Sequence, residues 1–204
     1  DELIQTELET YQVDPPIEIE PMRLDDLRKN FESPQPTNMI LTGTAGDGKT
    51  FHCRRVWEYF GGSKTEWAKG RKLARLQLRH GHTLVLVKDL SELTGQEKQD
   101  LMPHLSRAVQ GQDDRMVYLV AANDGQLLAT WRDWAEAAGG DDFAAFKRLE
   151  ALLVDEEVSD DVLHLNLFNL SRQNAAHHLD QLIEQVVEHP QWSQCASCPL
   201  MEDD

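Results

Sequence analysis

Long apolar runs are missing from this chain, as are a balanced cysteine set and an excess of basic charge. No uninterrupted apolar stretch approaches the roughly 18 residues that a membrane-crossing helix needs, so no membrane partner is expected. The 204 residues hold three cysteines, an odd number that makes no disulfide framework, and a reducing cytoplasm is the expected setting. Lysine and arginine number 20 against 36 aspartates and glutamates, for a net charge of −16. That deficit excludes a broad nucleic-acid footprint on this chain alone, because binding a phosphate backbone needs basic surface. DNA could still be met through the assembly, on a partner subunit or a further domain. The acids themselves read as a solvated, solubilising face. There is no internal repeat, no low-complexity tract and no secretory leader at the visible N terminus. An initiator Met is also lacking, and the chain stops soon after Cys195-Ala196-Ser197-Cys198; a fragment of a longer protein is the expectation.

What the chain does have is Gly43-Thr44-Ala45-Gly46-Asp47-Gly48-Lys49-Thr50. This fits the phosphate-binding pattern G-x-x-x-x-G-K-[ST]. At ordinary residue frequencies such a match arises by chance in on the order of 1% of chains this long, and the flanks narrow that further. Asn38 to Thr42 is a short apolar run of strand type, and Phe51 to Phe60 reads as a helix closed by Gly61-Gly62. The pattern requires that order of strand, loop and helix. Glycines bring backbone N–H groups around a phosphate chain, Lys49 supplies a point charge for the β- and γ-phosphates, and Thr50 offers a hydroxyl to Mg²⁺. The expected cofactor-binding set is Gly43, Thr44, Ala45, Gly46, Asp47, Gly48, Lys49, Thr50 and Phe51.

Elsewhere the pattern alternates. Thr83 to Val87 and Met116 to Ala122 are continuous apolar runs, the mark of strands buried on both faces of a parallel sheet, and 162–168 reads as a further strand. Helices are predicted from about Arg23 to Phe31, up to about Val109 with Pro103 near the start or at a kink, from a cap at Asp124 to Gly139-Gly140, onward from Asp141-Asp142, and from about Ser171 to Glu188. In the last of these Leu179, Leu182, Ile183, Val186 and Val187 have the spacing of an inward face. The basic stretch 62–81 fits neither period and is expected to be a helix followed by a strand or turn. The fold class is therefore α/β, in three layers, with a mostly parallel central sheet and helices on both faces. Residues 1–37 form an arm and linker, 38–188 the core, and 189–204 a C-terminal tail.

Ligands of open α/β sheets bind at the carboxyl ends of strands, so the strand ends are where chemistry is expected. Asp89 follows the first buried strand after the loop and is the natural acid to order Mg²⁺; the same position suits a helix cap. The next residue is Leu90, where a glutamate that activates water is often found. Glu92 could take that role, or could be the third-position acid of a helix start. Asn123 ends the next strand; its amide can orient a water and touch a γ-phosphate, or serve a turn. Lys49, Glu92 and Asn123 form the candidate catalytic set, and Thr50 and Asp89 the candidate Mg²⁺ set. Arg148 and Arg172 are candidates for charge stabilisation in cis or across a subunit interface, or else surface arginines. Cys195 and Cys198 have the spacing of two ligands of a structural Zn²⁺ site that needs two more, or are ordinary thiols.

The order of glycine loop, strand ending in Asp89, strand ending in Asn123, then a further strand and helix resembles the core of ATPases of the additional-strand class, AAA+ and STAND, over roughly residues 22–188. The resemblance implies strand order 5-1-4-3-2, ATP with Mg²⁺, and frequent oligomerisation. More narrowly, the loop together with Lys88-Asp89-Leu90-Ser91-Glu92, Ala122-Asn123-Asp124-Gly125 and the late C-x₂-C-Pro is similar to the ATPase F subunit of DNA phosphorothioation-dependent restriction systems. That likeness implies bacterial antiviral defence with protein partner subunits that act on DNA. The lid domain and sensor arginine of AAA+ proteins are not visible. No N/T-K-x-D base-reading motif is present, so ATP is preferred over GTP. The alternatives are a slow or inactive nucleotide-binding switch, which Leu90 favours, and a zinc-stabilised nucleic-acid interaction module.

Overall fold

A computed structural model describes residues 17, 20–67, 70–172 and 175–197. Of the expected arm and linker at 1–37, residues 1–16, 18 and 19 lie outside them, as do residues 198–204 of the expected tail, Cys198 among them. The chain divides into two compact units: Met22–Arg172, and a second made of Asp1–Pro21 with Gln173–Asp204.

The unit Met22–Arg172 is an α/β structure built on one five-stranded sheet. Its strands are β1 (Asn38–Thr42), β2 (Leu73–Gln77), β3 (Thr83–Val87), β4 (Met116–Ala121) and β5 (Leu165–Asn169). Across the sheet they lie in the order β2-β3-β4-β1-β5; from the β5 edge this runs β5-β1-β4-β3-β2. β1 pairs parallel with both β4 and β5, and β3 pairs parallel with β4. The departure from a parallel sheet is β2, which pairs antiparallel with β3, Leu73 opposite Val87 and Gln77 opposite Thr83. As expected, the stretch opens with a helix, the short α3 (Lys64–Trp67), and goes on to this strand. Here Ala74 and Leu76 pack on one side while Arg75 and Gln77 face outward, an edge-strand pattern too short to show a clear period.

Helices cover both faces. On one lie α1 (Leu24–Glu32) and α2 (Lys49–Tyr59); on the other lie α4 (Gly95–Val109), α5 (Asp124–Ala138) and α6 (Gly140–Asp155). The strands sort their side chains between the two with a period of two. Met39, Leu41, Leu84, Leu86, Val117 and Leu119 meet Leu27, Phe31, Val56 and Trp57. Ile40, Val85, Val87, Tyr118 and Val120 meet Leu105, Trp131, Phe146 and Leu149. The continuous apolar runs are thus two interleaved half-patterns, one for each core. Removing one such leucine to alanine typically costs about 2–5 kcal/mol.

Local signals set the helix limits. Thr94 and Glu97 form a reciprocal capping box at the start of α4. Pro103 lies inside α4, which runs through it to Val109 rather than starting or breaking there. Asn123, not Asp124, is the cap of α5, its side chain accepting from Gln126 N at 2.7 Å. At the amino end of β1, Asn38 is 4% exposed. Its Nδ2 donates to His164 O at 2.8 Å and its Oδ1 accepts from Tyr118 N at 2.9 Å, tying β1 to the strands on either side.

In the second unit, the described residues hold α7 (Ala175–Val187) and a 3-10 segment, Pro190–Ser197. The expected inward face of α7 is a correction: Leu179, Leu182, Ile183, Val186 and Val187 are all exposed, between 36% and 67%. The helix belongs to the unit outside Met22–Arg172. Among the described residues, no helix is long and apolar enough to cross a membrane.

Candidate functional site

The carboxyl end of β1 runs straight into the glycine loop, and α2 begins at Lys49. Three glycines turn the backbone where side chains are disfavoured: Gly43 at φ +138°, Gly46 at +92° and Gly48 at +80°. A Cβ on Gly43 would stand 2.6 Å from Asp47 Oδ2 and 3.1 Å from Ser171 Oγ, so the loop can close there only around glycine. Gly46 is different: nothing lies within 4 Å of where its Cβ would be. The loop thus has a tight base at Gly43 and an open rim at Gly46. His52 reinforces the start of α2; its Nδ1 lies 2.8 Å from Gly48 O.

Lys49 is folded onto the loop. Its ammonium donates to Gly43 O at 2.9 Å and to Thr44 O at 2.6 Å. Asp47 crosses the loop base: its Oδ2 accepts from Thr44 N at 2.5 Å, from Thr44 Oγ1 at 3.0 Å and from Ser171 Oγ at 2.5 Å. The Ser171 hydroxyl, the Thr44 donors and the Lys49 charge outweigh partial burial and hold the Asp47 carboxyl below its ordinary range. Phe51 is 45% exposed beside the loop, and the guanidinium of Arg55 lies over its ring at 6.0 Å.

The strand ends approach the same loop. Thr50 Oγ1 donates to Lys88 O at a long 3.4 Å, which sets the candidate metal-binding hydroxyl beside the residue that precedes Asp89. Asp89 caps the 3-10 turn Leu90–Glu92, its Oδ1 accepting from Ser91 N and from Ser91 Oγ, each at 2.7 Å. Leu90 is buried in the core, and Glu92 is exposed on that turn. Behind them Cys53 is buried; burial first, and then the nearby Asp89 charge, push its thiol up to about 12. Asn123 is exposed at the end of β4, with its Oδ1 given to the cap of α5.

The two candidate arginines are engaged within the chain. Arg148 pairs with Asp160 at 3.0 Å and Arg172 with Glu156 at 2.7 Å. Partial burial works to raise the Asp160 carboxyl but is outweighed by the N–H groups of Val162 and Leu163 and by Arg148, which hold it below its ordinary range. Cys195 is exposed and Cys198 is outside the described residues; among the described residues no three His, Cys, Asp or Glu side chains cluster to hold a metal ion.

Two features were missed by reading the sequence: the placement of Ser171 on the loop and the role of Asp47 as its partner. A short signal was available. In Asn169-Leu170-Ser171 the Asn169 Oδ1 accepts from Ser171 N at 3.0 Å, a local turn that stops β5 and aims the hydroxyl. No known family model, curated protein or solved structure matches the chain.

Proposed function

We propose that this chain is a Mg²⁺-dependent ATP-binding and hydrolysing module that couples nucleotide state to a larger assembly. The observation that carries the reading is the glycine loop at the carboxyl end of β1, open at Gly46, with the Thr50 hydroxyl against the end of β3. In this reading the loop amides and Lys49 hold the phosphates, and Thr50 and Asp89 hold Mg²⁺, which supplies charge neutralisation on the β- and γ-phosphates. Asn123 and Glu92 position water. Narrower still, the assembly is a bacterial restriction system that reads DNA modification, with partner subunits contacting DNA; the support is the likeness of the short motifs, and the acidic chain leaves that contact to partners.

A second reading, a nucleotide-binding switch with little turnover, is favoured by one specific arrangement. Asp89 and Asn123 both direct a side-chain oxygen at their own following turn, and Leu90 is buried where a water-activating acid is often found. ATP turnover by wild type, Lys49→Ala and Glu92→Gln separates the two. An ATPase shows Mg²⁺-dependent turnover that Lys49→Ala abolishes, and Glu92→Gln slows it about tenfold or more if Glu92 serves as base. Binding without turnover selects the switch, and no binding at all sinks both.

A further inference from the structure

We infer that Ser171 and Asp47 form a brace that shapes the glycine loop for phosphate, making Ser171 a positioning residue of the nucleotide site. The inference rests on the nucleotide reading above and adds to it Ser171, a residue outside the motif, and a role for Asp47 within it.

The geometry is a closed triangle across the sheet. Thr44 N donates to Asp47 Oδ2 at 2.5 Å and to Ser171 Oγ at 2.9 Å, and Ser171 Oγ in turn donates to Asp47 Oδ2 at 2.5 Å. One corner comes from the first turn of the loop, one from its middle and one from the turn after β5, 124 residues from Asp47. Gly43 lies underneath, where any side chain would collide with both Asp47 and Ser171. A glycine-rich loop without such a tie samples many conformations, and ordering it on binding weakens affinity. The triangle fixes Thr44 to Asp47 in advance. It also engages the Asp47 carboxylate with donors at the loop base, so that its oxygen is turned to Thr44 and Ser171. Ser171 has a second consequence. It is the next-to-last residue of the compact unit Met22–Arg172, so the loop is tied to the point where the chain leaves that unit. Linkage then requires that phosphate in the loop and order in the 169–172 turn favour each other.

The test uses the whole chain and MgATP. By calorimetry, Ser171→Ala and Asp47→Ala each weaken MgATP binding about tenfold, while Ser171→Thr, which keeps the hydroxyl, stays within about twofold of wild type. The melting temperature moves little, since Ser171 is exposed. Without ligand, hydrogen exchange at the Thr44 amide quickens about tenfold in both alanine variants, and MgATP slows exchange over 169–172 in wild type but not in Ser171→Ala. Wild-type affinity in Ser171→Ala, or Ser171→Thr as weak as Ser171→Ala, overturns the brace. If wild type binds no MgATP, the nucleotide reading fails alone; exchange at Thr44 without ligand then decides the brace, and an unchanged rate overturns it.

Discussion

The two sides of the candidate site are built differently. On the loop side, local bonds from Lys49 to Gly43 and Thr44 are joined by a long-range one, Ser171 from the β5 end reaching Asp47. On the strand-end side, Asp89 and Asn123 bond only two or three residues ahead, to Ser91 and Gln126. The first arrangement holds a shape that the local sequence would not hold alone. The second is ordinary capping, which any Asp or Asn at a helix start would perform. The difference teaches where selection for a ligand can be separated from selection for the fold. The loop's shape depends on Ser171 as well as on its own local bonds, whereas each strand-end residue already has a local structural task that a catalytic role must share.

The largest expected effect is at the loop. Lys49→Ala should weaken MgATP binding by about 100-fold, or ~2.7 kcal/mol, through loss of the ammonium that bonds the loop. Calorimetry checks it, and an unaltered affinity would erase the contrast from the loop side. Next comes Asp89→Asn, which keeps a capping oxygen but loses the charge. If Asp89 orders Mg²⁺, turnover falls about 10- to 100-fold while thermal stability changes by less than about 1 kcal/mol. Turnover at the wild-type level with wild-type Mg²⁺ dependence makes Asp89 a cap and nothing more. Asn123→Asp works similarly: the cap is retained, the amide donor is lost, and turnover should drop about tenfold with unchanged melting.

The smallest effect lies away from the site. Glu97 donates nothing to the loop but joins α4 to the residue before β2, and Lys72 at 2.8 Å, aided by Thr94, holds its carboxyl down at about 2 against an ordinary 4.5. A depressed carboxylate stabilises the fold above the ordinary value and loses that contribution as pH falls through the folded one. Glu97→Gln should therefore melt slightly lower than wild type near pH 6, and the gap should close between pH 4.5 and 2. A constant gap across that window would show that the lysine contact is not its source.

Much of the fold was legible because burial imposes simple patterns. The runs at 83–87 and 116–121 could only be strands shielded on both faces, and the glycine loop announced the turn after 38–42. Legibility failed where pairing rather than pattern decided the outcome. The strand at 73–77 packs Leu73 toward one core and Ala74 and Leu76 toward the other, with Arg75 and Gln77 exposed, and its antiparallel partner, β3, supplies the specification that this mixed pattern lacks. The leucines of α7 have core spacing yet are exposed, since spacing reveals a face and not what covers it. At the candidate site, Lys49 and Thr50 could be named from the motif and Asp89 from its place after a buried strand, while Ser171 comes to the loop only once β5 lies beside β1.

Asn38 sits at the opposite end of β1 from all of this chemistry, and it bears on assembly. A short apolar strand such as Met39-Ile40-Leu41 can pair with its neighbours in several offsets at nearly equal gain, and an offset of one residue exchanges the two faces. Asn38 removes that degeneracy. In any other offset its amide would be buried without the His164 carbonyl or the Tyr118 N–H, at a cost of about 1–3 kcal/mol. One polar side chain at the base of the sheet thus acts as a proof-reader, rejecting misaligned sheets before they persist. It thereby sets the height at which Leu41 and Ala121 stop and the strand tips emerge together.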